Sequence, residues 1–219
     1  SNIDLMDEHH YIGFRYLLTQ RCIMDFKLLF EDFPERIIPY DYDTYFSNPD
    51  RFVMVTTNCL TGKAEYFEEK SSSKRVMDIV RASSSLPFVS PITYVDGVPM
   101  LDGGIADSIP VEYALSQGYE RLVVILTRNK GYRKKESRMR AAKVLYRKYP
   151  NLQKALAERN AVYNRTMDMI ERMEEEGRIT VIRPLRPIEV GRMEKDTAKL
   201  TALYQEGYDI AMSLVTCNQ

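Results

Sequence analysis

The sequence predicts an α/β protein, with a mainly parallel sheet flanked by helices and a helical C-terminal extension. Three observations lead there. Two short β-branched runs, Arg51-Phe52-Val53-Met54-Val55-Thr56-Thr57 and Arg121-Leu122-Val123-Val124-Ile125-Leu126, lack polar alternation, as expected of strands buried on both faces. Between residues 98 and 126 a strand, a short helix and another strand follow one another, an order that implies a parallel crossover. Beyond residue 150, apolar side chains recur at helical spacing along two long stretches.

Composition narrows what such a fold is for. The 219 residues are 44% hydrophobic, enough for one good core with an appendage. Lys+Arg and Asp+Glu are equal at 31 each, so no global field draws the chain to nucleic acid or to an anionic membrane, and electrostatic roles are local. The three cysteines, Cys22, Cys59 and Cys217, are far apart and odd in number, which suggests reduced thiols rather than a disulfide framework. His9 and His10 are the two histidines, and no Cys or further His stands at zinc spacing, so neither a metal nor a cofactor is expected. No apolar run is long enough to span a bilayer and the N-terminus lacks a signal-peptide profile; the expectation is a soluble, cytoplasmic protein.

Taken in order, residues 3–20 carry a roughly helical apolar pattern interrupted at Gly13. Cys22 to Phe33 reads as a short buried helix stopped by Pro34, and Pro39 opens a loop of Tyr and Asp from Tyr40 to Asn48. After the strand at 51–57, Thr61-Gly62-Lys63 turns the chain into an antiparallel partner, Ala64 to Glu68. Ser71 to Ser73 cap a helix over Arg75–Ala82 that ends before Pro87. Its last serines, Ser83 to Ser85, read as helix-end residues; a nucleophilic serine needs a sharp turn and a neighbouring base, and no glycine is near enough to make one.

The most informative stretch is Tyr94 to Pro110. Asp96-Gly97 between two apolar runs is a hairpin signal, because a two-residue turn needs positive φ. The second strand then delivers Asp102, followed by Gly103 and Gly104, which lack side chains and let another backbone or a substrate approach. Ser108 and Pro110 suit the first turn of a helix running to Gln117, with Gly118 as its stop. Asp102 would thus stand at the carboxyl end of a strand, on the edge of the sheet where ligands bind in α/β folds. A simple turn, with Asp102 accepting the next amides, is the other reading.

From Arg128 to Lys148 the charged residues are all Lys or Arg except for Glu136. It reads first as a solvated face and second as an anion- or membrane-binding patch. A long helix follows over Asn151–Glu176 with Leu152, Leu156, Tyr163, Met167, Ile170 and Met173 on one side, then a strand at Ile179–Arg183. A C-terminal helix near Lys195–Cys217 carries Leu200, Leu203, Tyr204, Tyr208, Ala211 and Leu214 as its stripe. The division expected is 1–127 for the α/β portion and 128–219 for the basic loop and mostly helical extension.

Ala82-Ser83-Ser84-Ser85-Leu86-Pro87, the hairpin, and Leu101-Asp102-Gly103-Gly104-Ile105-Ala106-Asp107-Ser108-Ile109-Pro110 together resemble the second half of a patatin-like phospholipase. The run Thr127 to Lys135 resembles its bacterial branch. The resemblance implies an α/β hydrolase of lipid and other acyl esters that uses a serine–aspartate dyad. Asp102 matches the aspartate that acts as general base, and Gly103 and Gly104 match the motif around it. No pair of glycines in the chain has the spacing Gly-x-Ser-x-Gly. The expectation is therefore a C-terminal part of a longer hydrolase, incomplete because the first strands and the nucleophile elbow lie outside it, inactive alone and prone to self-association. Its partners would be a lipid or other acyl ester and, through the basic stretch, the surface of an anionic membrane. A non-catalytic binding module on the same scaffold is the alternative.

Overall fold

The computed structural model describes Tyr16, Cys22 and residues 25–136, 140–191, 194 and 196–216. The predicted helix over 3–20, apart from Tyr16, as well as His9, His10 and Cys217, lies outside the described residues. The chain divides into two units, one of residues 11–109 and 135–163, the other of 1–10, 110–134 and 164–219.

The first unit is built on a four-stranded sheet in the order β2-β1-β4-β3, where β1 is Met54–Asn58, β2 Ala64–Phe67, β3 Thr93–Val95 and β4 Val98–Asp102. All its pairings are antiparallel. This corrects the expected mainly parallel sheet. The connections β1–β2 and β3–β4 are tight turns, which can only join antiparallel neighbours. At Asp96-Gly97 both residues have positive φ, 51° and 77°, the conformation a two-residue hairpin needs.

Alternation along β4 sends successive side chains to opposite faces. Met100 packs with Met54, Val95, Ile79 and Ala82 under helix α2, Ser73–Ser83. Leu101 packs with Cys59, Ile105, Ala142, Tyr146, Leu152 and Leu156. The last four of these come from α4, Arg140–Leu145, from the turn after it, and from the first half of α5, Pro150–Glu175. Helix α2 starts as expected, with the Ser72 side chain accepting the Arg75 amide at 3.2 Å. Its start is tied to the hairpin: Arg75 bonds Glu69 at 2.6 Å and Asp96 at 2.8 Å.

Two early segments differ from expectation. The chain around Leu28–Ile37 is a π-helix with Pro34 inside it rather than a buried α-helix ended by Pro34, and none of its residues is buried. The wider turn removes the conflict between the proline ring and the i−4 carbonyl. The expected loop at 40–48 contains helix α1, Tyr42–Ser47, because the Asp41 side chain caps it by accepting from the Thr44 amide at 2.9 Å and hydroxyl at 2.7 Å.

The second unit holds α3, Val111–Ser116, a two-stranded parallel sheet of β5, Leu122–Ile125, and β6, Ile179–Ile182, the second half of α5, and α6, Thr197–Thr216. The parallel crossover runs from β5 through α5 to β6, not from β4 to β5 as the sequence order suggested. Both flanks of β4 are occupied by β1 and β3, so it has no edge to offer. The stripe predicted on α5 is buried at all six positions, from Leu152 to Met173. Strand β5 was expected to be buried on both faces; only Val124 is, while Val123 and Ile125 are 65% and 72% exposed. The stripe expected on α6 is not buried either, with Leu200, Leu203 and Ala211 intermediate and Tyr204 and Tyr208 exposed and stacked on each other.

Candidate active site

The corner at the end of β4 is assembled from four segments of the first unit. Asp102 is the last residue of β4, opposite Thr56 of β1 in the register, with its side chain half-buried. Strand β3 stops short of it, so on that side its amide donates to the Ser85 carbonyl at 2.9 Å instead of to a strand. On the other side, Thr57 Oγ1 donates to the Asp102 carbonyl at 2.8 Å and accepts the Ala106 amide at 3.2 Å. Asp102 Oδ1 accepts the Gly104 amide at 2.6 Å, which fixes the carboxylate against a short 3-10 turn, Gly103–Ile105. The turn reading of Asp-Gly-Gly is thus geometrically present, and it positions the carboxylate at a strand end.

The two glycines serve different ends. A Cβ on Gly103 would lie 2.4 Å from the Val55 carbonyl oxygen and 2.7 Å from its carbon, so only glycine allows the turn to lie against β1. A Cβ on Gly104 would instead meet Asp102 Oδ1 at 2.9 Å, a side-chain oxygen that can give slightly where the Val55 backbone cannot. Beyond the turn, the Ala106 and Asp107 amides donate to the Gly103 carbonyl, Ser108 Oγ donates to the Gly104 carbonyl at 2.8 Å, and the Tyr66 hydroxyl donates to Asp107 Oδ2 at 2.7 Å. Ser108 therefore closes the turn rather than capping α3, whose N-cap residue is Pro110 and which has no side-chain cap.

Two of the three serines at the end of α2, Ser83 and Ser85, have hydroxyls committed to the fold. Ser83 Oγ donates to the Val55 carbonyl at 2.8 Å; Ser85 Oγ donates to the Arg81 carbonyl at 2.8 Å and bonds Thr93 Oγ1 at 2.9 Å, with Ser85 fully buried. Cys59 is buried too, and burial pushes its thiol up to about 12, far from a thiolate at neutral pH. Among the described residues, no group of three or more His, Cys, Asp or Glu could hold a metal ion. Also among the described residues, no helix is long and apolar enough to cross a membrane.

The sequence singled out Asp102, Gly103 and Gly104 but not the groups that surround them in the structure, namely Thr57, Ser85, Tyr66 and Asp107. Thr57 left a faint signal, a hydroxyl within a run that otherwise reads as a buried strand. In the basic stretch, Arg133 pairs with Asp168 at 2.6 Å and Glu171 at 2.7 Å, and Lys130 Nζ lies 3.7 Å from Glu175. Arg133 and the Gly131 amide hold the Glu171 carboxyl at about 2, and Glu171 in turn raises Arg133. The acids that balance this loop come from α5, some 40 residues along the chain.

A family model described as "Domain of unknown function (DUF6363)" matches residues 149–216, from the start of α5 to the end of α6. "Uncharacterized protein YjjU" of Escherichia coli (strain K12) is 48% identical over 52 residues, which cover 23% of this chain and 15% of that protein. The model of patatin-like phospholipases matches residues 4–115, just over half of the 219-residue chain, and includes the whole Asp102 corner. The chain belongs to the patatin-like phospholipase family.

Proposed function

We propose that Asp102 is the general base of a serine–aspartate acyl hydrolase acting on lipid or other acyl esters, and that its nucleophile stands on a Gly-x-Ser-x-Gly elbow outside residues 1–219. One observation carries this reading: a half-exposed carboxylate at the carboxyl end of a strand, with its backbone held from both sides by Ser85 and Thr57 and its rotamer held by the Gly104 amide. Such rigidity suits a base that must meet an incoming hydroxyl without reorganising.

In the acylation half, the serine oxygen bonds to the acyl carbon while Asp102 takes the hydroxyl proton, and the proton then passes to the departing alcohol oxygen. In the second half Asp102 takes a proton from water, the water oxygen bonds to the acyl carbon, and the acyl–serine bond breaks as Asp102 returns that proton to the serine oxygen, releasing the acid and restoring both serine and carboxylate. Gly103 and Gly104 keep the turn low enough for the carboxylate to be reached. Ser83 and Ser85 are committed to carbonyls and no pair of glycines has the spacing Gly-x-Ser-x-Gly, so on this reading the chain by itself supplies a base without a nucleophile and is expected to be inactive alone.

The second unit supports the view that a further layer of structure belongs over this chain's parallel strands. Parallel strands are ordinarily covered on both faces, yet Val123 and Ile125 of β5 are 65% and 72% exposed. An unpaired edge along β1, which the loss of neighbouring strands would produce, is not seen, because β1 pairs with β2 on one side and β4 on the other. Self-association of the isolated chain through the β5 face is the corollary. A role for the basic stretch on an anionic membrane is weakened at Arg133, whose charge is already neutralised by Asp168 and Glu171.

Labelling with a fluorophosphonate tests the assignment. In the full-length protein the label is expected on a serine outside residues 1–219, with none on this chain expressed alone. A label on Ser83, Ser84 or Ser85 would overturn it.

A further inference from the structure

We propose that the exposed aromatic surface around Tyr40 and Phe52 seats the protein on a zwitterionic lipid–water interface. The proposal rests on the reading that the substrate is a lipid ester, and it adds the surface by which such a substrate is approached. Four large apolar side chains of this region face solvent: Ile37 at 38% exposure, Ile38 at 57%, Tyr40 at 43% and Phe52 at 50%. Tyr40 and Phe52 are joined through Tyr45, whose ring lies 5.9 Å from Tyr40 and 6.0 Å from Phe52 at a near-perpendicular angle, and Ile38 and Ile37 stand two and three residues before Tyr40 in the chain. Aromatic rings with a polar tip are the side chains that favour the boundary between hydrocarbon and water.

The patch is rigid where it joins the fold. The Tyr45 hydroxyl donates to the Glu69 carbonyl at 2.9 Å, just beyond β2, and Lys70 Nζ donates to the Tyr45 and Asn48 carbonyls while lying 4.8 Å from the Tyr45 ring centroid. The register puts it at the end of the sheet where Asp102 stands. Thr56 pairs with Asp102 and Met54 with Phe67, so the start of β1, the end of β2 and the end of β4 coincide. Phe52 precedes Met54, about 13 Å of extended chain from Thr56 at ~3.3 Å per residue.

Charge selects the kind of interface. Asp41, Asp43 and Asp50 are exposed around the rings and outweigh the single charge of Lys70, whereas Arg51 is paired with Glu68 at 2.5 Å and Arg36 with Asp32. This acidic surround repels anionic headgroups and complements the outward ammonium of a zwitterionic one. Tyrosine faces also attract quaternary ammonium groups, and Lys70 over Tyr45 shows a cation already accommodated on one of them.

The chain has no tryptophan, so Phe52→Trp supplies a single reporter. With phosphatidylcholine vesicles its emission is expected to shift to the blue and to be quenched by brominated acyl chains, with little dependence on salt. The double variant Ile38→Ser with Phe52→Ser should partition into the same vesicles on the order of tenfold more weakly, and Ile38→Ser alone should weaken it in the same direction while leaving the Tyr45–Phe52 contact in place. Binding confined to phosphatidylglycerol vesicles and lost with salt, or an emission of the introduced tryptophan that stays unshifted, would overturn the proposal. So would a dimer by light scattering that the double variant dissolves, since the patch would then be covered by a second copy. Asp102→Asn should leave vesicle binding unchanged. If that variant abolishes turnover of a soluble short-chain ester in the full-length protein while vesicles are not bound, the surface assignment falls alone; if vesicles are bound and turnover survives, the catalytic reading falls alone.

Discussion

Replacing Gly103 with alanine puts one carbon where β1 already lies. The added Cβ would sit 2.4 Å from the Val55 carbonyl oxygen, 2.7 Å from its carbon and 3.0 Å from its Cβ. Relief requires the turn and β1 to part by roughly 1 Å to reach ordinary contact distance. They cannot part freely, because Thr57 Oγ1 clamps the Asp102 carbonyl and the Ala106 amide, and the Ser83 hydroxyl holds the same Val55 carbonyl. Overpacking of this kind costs about 1–3 kcal/mol, and a loosened hydrogen bond adds about 1 kcal/mol, so the loss is expected near ~3 kcal/mol. For a chain of this length that corresponds to a fall in Tm of about 6–12 °C. Gly104→Ala is the control: its Cβ meets no backbone, its nearest neighbour being the Asp102 side-chain oxygen at 2.9 Å, and its cost should stay below ~1 kcal/mol. Thermal unfolding followed by circular dichroism reads both. A Gly103→Ala protein melting within about 2 °C of the parent, or a Gly104→Ala protein as destabilised as Gly103→Ala, would refute the reasoning.

Thr57→Val keeps the shape of a fully buried side chain but removes the donor to Asp102 and the acceptor for Ala106, for an expected loss of ~2 kcal/mol; urea unfolding with an unchanged midpoint would contradict it. Ser85→Ala should cost ~1–2 kcal/mol because it strips two hydrogen bonds and leaves Thr93 in a buried site, whereas a serine waiting to act as nucleophile would be replaced at little cost in stability. The Glu69 carboxyl, held at about 2 by Ser71, Arg75 and Ser72 against an ordinary 4.5, contributes stability that is complete above 4.5 and lost as pH falls toward 2. Glu171 titrates in the same window. Tm should therefore drop between about pH 5 and pH 2.5, less steeply in Glu69→Gln, and equal slopes would remove Glu69 from the account.

Local chemistry was the part of the fold that could be read from the sequence. Asp96-Gly97 specified its own turn, Ser72 its cap, and the spacing on α5 its buried stripe, because each depends on residues a few positions apart. What could not be read was decided by distant neighbours. Strand-helix-strand order suggested that β4 pairs with β5, but the flanks of β4 were taken by β1, more than 40 residues earlier, and by its own hairpin partner. An apolar run such as β5 carries no mark of which face is covered, so Val123 and Ile125 read as buried. Pro34 read as a stop because the sequence does not announce a π-helical turn that tolerates it. At the site, Asp102 and its glycines were legible as a motif, while Thr57 and Ser85 were not, since their roles depend on backbone atoms brought close by the sheet.

The most direct test of the central claim is ester turnover by the full-length protein carrying Asp102→Asn. Asparagine keeps an acceptor for the Gly104 amide and the same backbone bonds to Ser85 and Thr57, so Tm should move by less than about 2 °C. The base is lost, and kcat with a p-nitrophenyl ester should fall by on the order of 10²–10⁴. Turnover retained within about threefold of the parent, in a protein that still melts at the parent's temperature, would contradict the assignment of Asp102 as the base.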